Sequence, residues 1–205
     1  MCRYIQILIV SSIIIMVSCQ DEENLIISNE KNLIINEINY NSSEVFDTKD
    51  WIEIYNKSDT IIYLRGYYFT DENPDHIYLF PENSFIGAND YIILAQDTTV
   101  FSTLFPNVVN LYGPFSFGLS GKGEEINLYD KFDNLIDKVE YKDSYPWPTE
   151  PDGNGPTLEL INPDFANEIA NAWGFSIENG TPGIINSVYS DSLLYIIRKL
   201  SKNSY

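Results

Sequence analysis

Alternation between apolar and other side chains in residues 50–56 constrains the fold most strongly. Ile52 and Ile54 fall on one side of an extended chain, because successive side chains of a strand point to opposite faces. This period of two predicts a half-buried central strand whose isoleucine face meets the core. The other side of the strand carries Trp51, Glu53 and Tyr55.

Further short strand patterns follow along the chain, and turn-forming residues separate them. Residues 96–117 are predicted to be irregular, since Pro106 and Pro114 interrupt them. No stretch before residue 188 has a convincing helical period. Short strands spaced by roughly 8–12 residues predict an all-β protein with a β-sandwich architecture. The predicted strands cover residues 33–40, 50–56, 61–64, 67–70, 76–80, 91–95, 124–129 and 135–141.

The sequence is strongly acidic, with a formal net charge of −18 and a pI of about 4.1. Such a surface repels phosphate backbones, and the sequence contains no basic patch, so we expect no binding of nucleic acid. The acidity either serves solubility or favours a hard cation such as calcium. The 15 tyrosines suit a β-rich protein or a binding surface.

Residues 1–18 have the features of an export signal, with Arg3 at the start and a short apolar run at residues 7–17. The run is too short to span a bilayer comfortably. Met16-Val17-Ser18-Cys19 resembles a bacterial lipobox, although Met16 replaces the usual leucine. The resemblance implies that Cys19 becomes the lipidated first residue. A plain secretory signal and an ordinary buried cysteine are the alternatives.

An acidic linker, residues 19–31, follows the predicted signal. Loss of residues 1–18 removes Arg3 and leaves a net charge of −19. Such a tract is either a solvated linker or, by resemblance, the segment that follows the lipidated cysteine in surface lipoproteins of Bacteroidetes-type bacteria. We therefore predict an exported protein that is lipid-anchored in the cell envelope, in the outer membrane and exposed at the surface. Cys2 leaves with the signal, so the folded domain contains no thiol.

Several motifs recur in a fixed order between residues 32 and 187, and together they resemble a lamin-tail domain of the bacterial branch. That resemblance implies one immunoglobulin-like β-sandwich over residues 32–187. The first half carries Ile35-Asn36-Glu37-Ile38, Asp50-Trp51-Ile52-Glu53-Ile54-Tyr55-Asn56, Leu64-x-Gly66, Phe80 with Gly87-x-x-x-Tyr91, Leu119-Ser120 and Gly123-Glu124-Glu125-Ile126. The second half carries Trp147-Pro148, Asp152-Gly153-Asn154-Gly155-x-Thr157-Leu158-Glu159-Leu160, Trp173 and Gly180-Thr181-Pro182-Gly183-x-x-Asn186.

The last segment, residues 188–205, has the pattern of a short amphipathic C-terminal helix. Basic residues near its end suit the negative end of a helix dipole. The helix either packs back on the sandwich or docks on a partner. The apolar positions with helical spacing are Leu193, Ile196, Ile197 and Leu200.

Two candidate sites follow from the pattern. A ligand-binding surface for a glycan or a peptide is predicted at Trp51, Glu53, Tyr55, Tyr63 and Tyr67, and the alternative is that these aromatic residues are packing residues. A calcium site is the second candidate, at Glu44, Asp47 and Asp50. We expect no other metal or cofactor.

Nothing in the sequence forms a catalytic constellation. His76 is the one histidine, and no nucleophile elbow or phosphate-binding loop accompanies it. We therefore predict a non-catalytic binding or adhesion module that recognises a glycan or an envelope protein at the cell surface. The alternatives are a structural component of the envelope or matrix that acts through protein contacts and a hydrolase that uses a pair of carboxylates.

Overall fold

The structure is a computed structural model, and it describes residues 31–191. Those residues form two large β-sheets that face each other across one apolar core, with a small two-stranded ribbon at the side. The prediction of an all-β sandwich is confirmed. Over residues 31–191, no helix combines the length and the apolar character needed to cross a membrane.

The strands are β1 (Leu33–Asn39), β2 (Trp51–Asn56), β3 (Ile62–Tyr63), β4 (Tyr68–Thr70), β5 (Ile77–Leu79), β6 (Phe85–Ile86), β7 (Asp90–Ala95), β8 (Leu111–Tyr112), β9 (Gly123–Tyr129), β10 (Leu135–Lys142), β11 (Leu158–Leu160) and β12 (Trp173–Phe175). The six-stranded sheet has the order β12–β11–β1–β2–β7–β8, and the four-stranded sheet has the order β10–β9–β4–β5. Strands β3 and β6 pair in the ribbon.

Strand β2 lies in the middle of the six-stranded sheet, where it pairs antiparallel with both β1 and β7. Ile52 and Ile54 are fully buried and point into the main core, as the alternating pattern predicts. The facing sheet contributes Phe69, Ile126 and Leu128 to the same core. Tight packing of these apolar side chains supplies most of the driving force for folding.

Residues beyond β10 complete the same sandwich. Strands β11 and β12 extend the six-stranded sheet next to β1. Trp147 and Trp173 both belong to the main core, and their ring centroids lie 6.0 Å apart. Both tryptophans, which belong to the motifs of the second half of the chain, are therefore packing residues of the core.

A short helix, α1 (Thr98–Leu104), lies in the segment that was predicted to be irregular, so the expectation of no helix before residue 188 is wrong. Asp97 caps the helix by accepting hydrogen bonds from the backbone N–H groups of Thr99 and Val100. Only Phe101 is buried within the helix. The helix has only about two turns and one buried residue, so its sequence shows no helical period. The sequence signal for its start was the N-cap residue Asp97.

Helix α1 covers Trp51 on the outer face of the six-stranded sheet. The rings of Trp51 and Phe101 meet edge to face with centroids 5.5 Å apart. The indole Nε1 of Trp51 donates a hydrogen bond to Thr48 Oγ1 at 3.1 Å. Trp51, Ile93, Ala95 and Phe101 thus form a second, smaller core outside the sheet.

We predict that Trp51→Ala destabilises the domain by about 3–5 kcal/mol, because a fully buried indole leaves a cavity that its neighbours cannot fill. Urea unfolding measures this loss. Tyr63→Ala is the matched control, since Tyr63 is 71% exposed, and it is expected to change stability by less than about 0.5 kcal/mol. Equal stability of the two variants would contradict the packing role of Trp51.

Candidate functional site

The outer face of the six-stranded sheet divides into three bands of register-paired side chains. Helix α1 covers the first band, which contains Trp51 and Ala95. Residues 180–188, here called the strap, cover the second band. The third band contains Tyr55 and Tyr91 and remains partly open. The two covers therefore decide which part of the sheet a ligand can reach.

Three glutamates form the second band. Glu37 of β1 is register-paired with Glu159 of β11 on one side and with Glu53 of β2 on the other. All three side chains are fully buried. Like charges directly opposite each other on neighbouring strands are destabilising, and buried carboxylates need partners. The row therefore needs hydrogen-bond donors, and the strap supplies most of them.

The strap binds all three glutamates through its backbone and hydroxyl groups. Thr181 N donates to Glu37 Oε1 at 3.1 Å, and Gly183 N donates to Glu53 Oε2 at 2.6 Å. Glu159 bonds to the strap at both of its carboxylate oxygens. Its partners are Thr181 Oγ1 at 2.5 Å, Ser187 Oγ at 2.8 Å and Val188 N at 3.1 Å.

Two asparagines tie the strap to β1. Asn36 Nδ2 donates to Glu53 Oε1 at 2.7 Å and to Asn186 Oδ1 at 2.8 Å. Asn186 Nδ2 in turn donates to the backbone carbonyls of Asn36 and Leu160. Asn36 lies at the β-bulge of β1, where the register with β2 shifts, and the bulge re-aims its side chain toward the strap.

Gly180 opens the strap at a position that only glycine tolerates. Its φ is +97°, which lies in the left-handed region. A Cβ atom there would lie 2.5 Å from Glu37 Oε1. The start of the Gly180-Thr181-Pro182-Gly183 motif is thus dictated by the close approach of the strap to the glutamate row.

Burial shifts the protonation of the row. Desolvation raises the pKa of Glu37 well above its usual range, and the neighbouring Glu53 and Glu159 raise it further. Desolvation also raises the pKa of Glu53 to about 8, although hydrogen bonds from Gly183 and Asn36 oppose the shift. Glu37 Oε2 is buried and has no hydrogen-bond partner within residues 31–191, as expected for a carboxyl group that folding disfavours in its charged form.

The open band forms the floor of a pocket of about 290 Å³. Tyr55 and Tyr91 stack there, with ring centroids 4.6 Å apart and ring planes inclined by 27°. Tyr189, which is 44% exposed, stands at the side of the pocket just beyond the strap. Burial raises the pKa of the Tyr91 hydroxyl, so Tyr91 presents a neutral phenol at physiological pH.

Polar groups at the pocket differ in their availability. Asn36 and Asn186 line its base, but their amide hydrogens already bond to the strap and to β1. Lys57 and Asp164 lie at the mouth and form an ion pair with an N–O distance of 2.8 Å. Asp164 remains 70% exposed in that pair. The pocket therefore offers aromatic faces, phenol groups and one neutralised charge pair.

The structure does not bring the five predicted ligand-binding residues together. Trp51 is buried under α1 and Glu53 under the strap, so neither is exposed as the strand pattern led us to expect. Tyr55 lines the pocket. Tyr63 is exposed on the ribbon, and Tyr67 lines a separate depression of about 520 Å³ beside Lys31 and Leu135. Period-two alternation cannot distinguish a solvated face from one that distant segments cover.

The predicted calcium residues also point to different partners. Asp47 pairs with Lys49, and Asp50 Oδ2 accepts a hydrogen bond from Leu119 N at 2.7 Å. Glu44 is exposed. Within the described part of the chain, no group of three or more His, Cys, Asp or Glu side chains is arranged to hold a metal ion.

His76 lies beside a turn, and contacts with three neighbouring side chains hold its ring in place. Its ring stacks on Phe117 with centroids 4.7 Å apart, and its Nδ1 lies 2.6 Å from Asp71 Oδ2. Its Nε2 contacts Asn73 Nδ2 at 3.1 Å. The stack and the two side-chain contacts account for the ring's position without a catalytic role.

Three predictions concern segments outside the described residues. Cys19 with its export signal is one, and residues 19–30 of the acidic linker are another. The predicted C-terminal helix lies outside from residue 192 onward, and Val188 to Asp191 are not helical. These remain predictions.

Sequence reasoning missed Tyr91, Asp164 and Tyr189 as members of the pocket. Tyr91 was visible only as part of a buried apolar strand, and the other two lie in loops. The available signal was the register: Tyr91 of β7 lies directly beside Tyr55 of β2 once the two strands pair.

Two facing sheets and the strap define an immunoglobulin-like β-sandwich. The family model described as Lamin Tail Domain matches residues 27–143, which is more than half of the 205 residues. The chain therefore belongs to the lamin tail domain family. Strands β11 and β12 and the strap lie beyond the matched range, yet they are built into the same sandwich.

Similarity to solved structures is low. The crystal structure of a DUF4876 family protein from Bacteroides thetaiotaomicron VPI-5482 has 14% sequence identity and a TM-score of 0.42. The match covers 63% of this chain and 62% of that protein, so the chain spans less than two thirds of its length. No curated protein matches the chain.

We predict that the domain loses stability as pH rises from about 4.5 to about 8. The unfolded chain releases the proton of Glu53 near pH 4.5, whereas the folded chain holds it until about pH 8. The folded state therefore binds more protons in this window, and its free energy of unfolding falls with rising pH. Chemical unfolding at pH 5, 6.5 and 8 measures the slope.

Glu53→Gln should flatten that slope, whatever its absolute stability. The exposed Glu140 provides the control, since Glu140→Gln is expected to retain the wild-type slope. Identical slopes for all three proteins would show that Glu53 does not contribute to this pH dependence.

Proposed function

We propose that this chain is a lipid-anchored envelope protein whose lamin tail domain binds a glycan in the pocket of Tyr55, Tyr91 and Tyr189. The family fold favours a non-catalytic binding module. The observation that carries the proposal is the partly open tyrosine band beside an exposed ion pair. Concave sites that combine aromatic faces with a few polar groups are typical ligand sites.

The chemistry of the pocket suits a sugar. The C–H face of a pyranose can pack on the exposed parts of tyrosine rings, and the phenol groups keep a polar handle at the edge of each ring. Sugar hydroxyls can donate to Asp164 and accept from Lys57, and hydrogen bonds to charged groups are stronger than neutral ones. Carboxylates for hydrolysis are not available in this pocket beyond Asp164, because the three glutamates below it are buried and engaged by the strap.

Attachment to the envelope rests on the sequence of the first nineteen residues. A charged start, a short apolar run and Ser18-Cys19 occur there in the order that lipoprotein signals have. More than one acyl chain on Cys19 would give stable anchoring. The described domain begins only twelve residues later, so the anchor would hold the sandwich near the membrane surface.

A second candidate function is that of a structural envelope component acting through protein contacts. The outer face of the four-stranded sheet carries an apolar row across all four strands, in register. Leu79 and Leu135 at its ends are 62% and 49% exposed. Tyr68 and Tyr129 stack between them at 4.9 Å. Exposed apolar rows of this kind favour protein contacts.

The first experiment is a glycan array with residues 20–205, a chain that lacks the signal and Cys19. We expect binding that Tyr189→Ala weakens at least about tenfold, since loss of a central aromatic contact typically costs that much. Tyr63→Ala is the control, because Tyr63 is an exposed tyrosine away from the pocket. A blank array would contradict glycan binding and favour the structural role, which self-association or capture of envelope proteins would then test.

Anchoring has its own test. The full chain is expected in the membrane fraction of the cells that produce it, whereas Cys19→Ser is expected in the soluble fraction of the envelope. Detergent phase partitioning measures both. A wild-type chain that behaves like Cys19→Ser would refute the lipid anchor.

A further inference from the structure

The tyrosine pocket does not end at Tyr91. The same side chain also lines a second depression of about 240 Å³, between the strap and the residues that lead into β8. That depression shares Val108, Pro182 and Ile184 with a third one of about 320 Å³, which reaches Phe105 at the end of α1. The three depressions thus follow one another along the strap, with shared lining residues between neighbours, and together they are here called the groove.

Both walls of this groove are fixed. The strap wall is held by Glu53 and Glu159 through the hydrogen bonds at Gly183, Ser187 and Val188. The opposite wall is held to β7, because Ile93 N donates to Asn110 O at 2.8 Å and Asn110 Nδ2 donates to Asp90 Oδ2 at 3.0 Å. A preformed groove reduces the conformational entropy that binding costs.

The character of the groove changes along its length. At the tyrosine end it offers phenol groups and the Lys57–Asp164 pair. At the far end the lining is mainly aliphatic and aromatic, with Leu104, Phe105, Pro106, Val108, Pro182 and Ile184. Ile184 is 59% exposed and Val109, beside it, is 85% exposed. Exposed aliphatic side chains along a fixed groove suit an apolar ligand segment.

Charge narrows the choice of ligand. The charged side chains of the groove are Lys57 and Asp164, which pair with each other, and Asp90, which accepts hydrogen bonds from Asn110 and the Tyr91 backbone. Their sum is a single negative charge on a chain of net charge −18. A ligand with a phosphate or carboxylate in the groove would meet repulsion, so a neutral ligand fits best.

From the succession of the depressions, the polarity gradient and the charge of the groove, we propose that its ligand is a neutral glycolipid. The sugar head lies against Tyr55 and Tyr91, and the aliphatic chain follows the strap past Ile184 and Val109. This inference rests on the proposed glycan site and extends it by naming the class of glycan. It also assigns Ile184 and Val109 as residues that determine specificity.

Methyl, hexyl and octyl β-D-glucoside test the proposal by titration calorimetry, each below its micelle concentration, with residues 20–205. We expect affinity to increase with alkyl length by up to roughly fourfold per buried methylene. Ile184→Asp and Val109→Asp, on opposite walls, should each abolish most of this increase while leaving the affinity for the methyl glucoside unchanged.

Ile77→Asp is the matched control. Ile77 is 55% exposed, close to the exposure of Ile184, and it lies on β5 of the other sheet. This variant should keep the wild-type dependence on alkyl length. A dependence that only Ile77→Asp abolishes would place the chain on the other sheet and overturn the proposal.

Failure of the groove and failure of the glycan site give different results. A positive glycan array with no dependence on alkyl length would overturn the glycolipid assignment and leave glycan binding intact. Absence of both array binding and octyl glucoside binding would overturn the glycan site and the glycolipid together.

Discussion

Three glutamates aligned across adjacent central strands are the constraint on which the rest of the outer face depends. Glu37, Glu53 and Glu159 are register neighbours, and all three are buried. A carboxylate in such a place requires donors, and within the sheet Asn36 of β1 supplies one of them, to Glu53. The strap provides others with the backbone N–H groups of Thr181, Gly183 and Val188. Burial of polar groups normally lowers the free energy of unfolding. In this domain the buried glutamates also fix the path of the strap, which follows β12.

This constraint explains why distant segments of the chain belong together. Asn36 and Glu37 lie in the first strand, whereas their partners Asn186 and Thr181 lie 150 and 144 residues later, and hydrogen bonds join the two regions. Hydrogen-bonded networks of buried polar groups specify one arrangement, because each partly satisfied alternative leaves an unpaired group. The strap is therefore placed by specific donors and acceptors more than by apolar packing.

Placement of the strap in turn creates the candidate site. Within residues 31–191, α1 lies over Trp51 and the strap lies over the glutamates, while the band of Tyr55 and Tyr91 stays partly accessible on the outer face. The edge of the strap then serves as one wall of the groove, with Ile184 turned outward. A rigid scaffold that leaves a limited open band is a common way to present a binding site.

Much of the fold was determined by the sequence alone. Alternation in residues 50–56 placed Ile52 and Ile54 in the core, since a strand fixes opposite faces for successive side chains. The order of the motifs indicated the sandwich that the two facing sheets form. Local periodicity carries this information because it depends only on neighbouring residues along the chain.

Tertiary structure alone decided what covers the second face of the central strand. The sequence placed Trp51, Glu53 and Tyr55 together on that face, but α1 buries the first, the strap buries the second, and only the third reaches the pocket. Helix α1 begins 47 residues after Trp51, and Gly183 of the strap lies 130 residues after Glu53, so no local period reports on these contacts. The strand alone fixes the face of the sheet to which each side chain points. Whether that side chain is exposed to solvent, and therefore where the candidate site lies, depends on the segments that cover the assembled sheet.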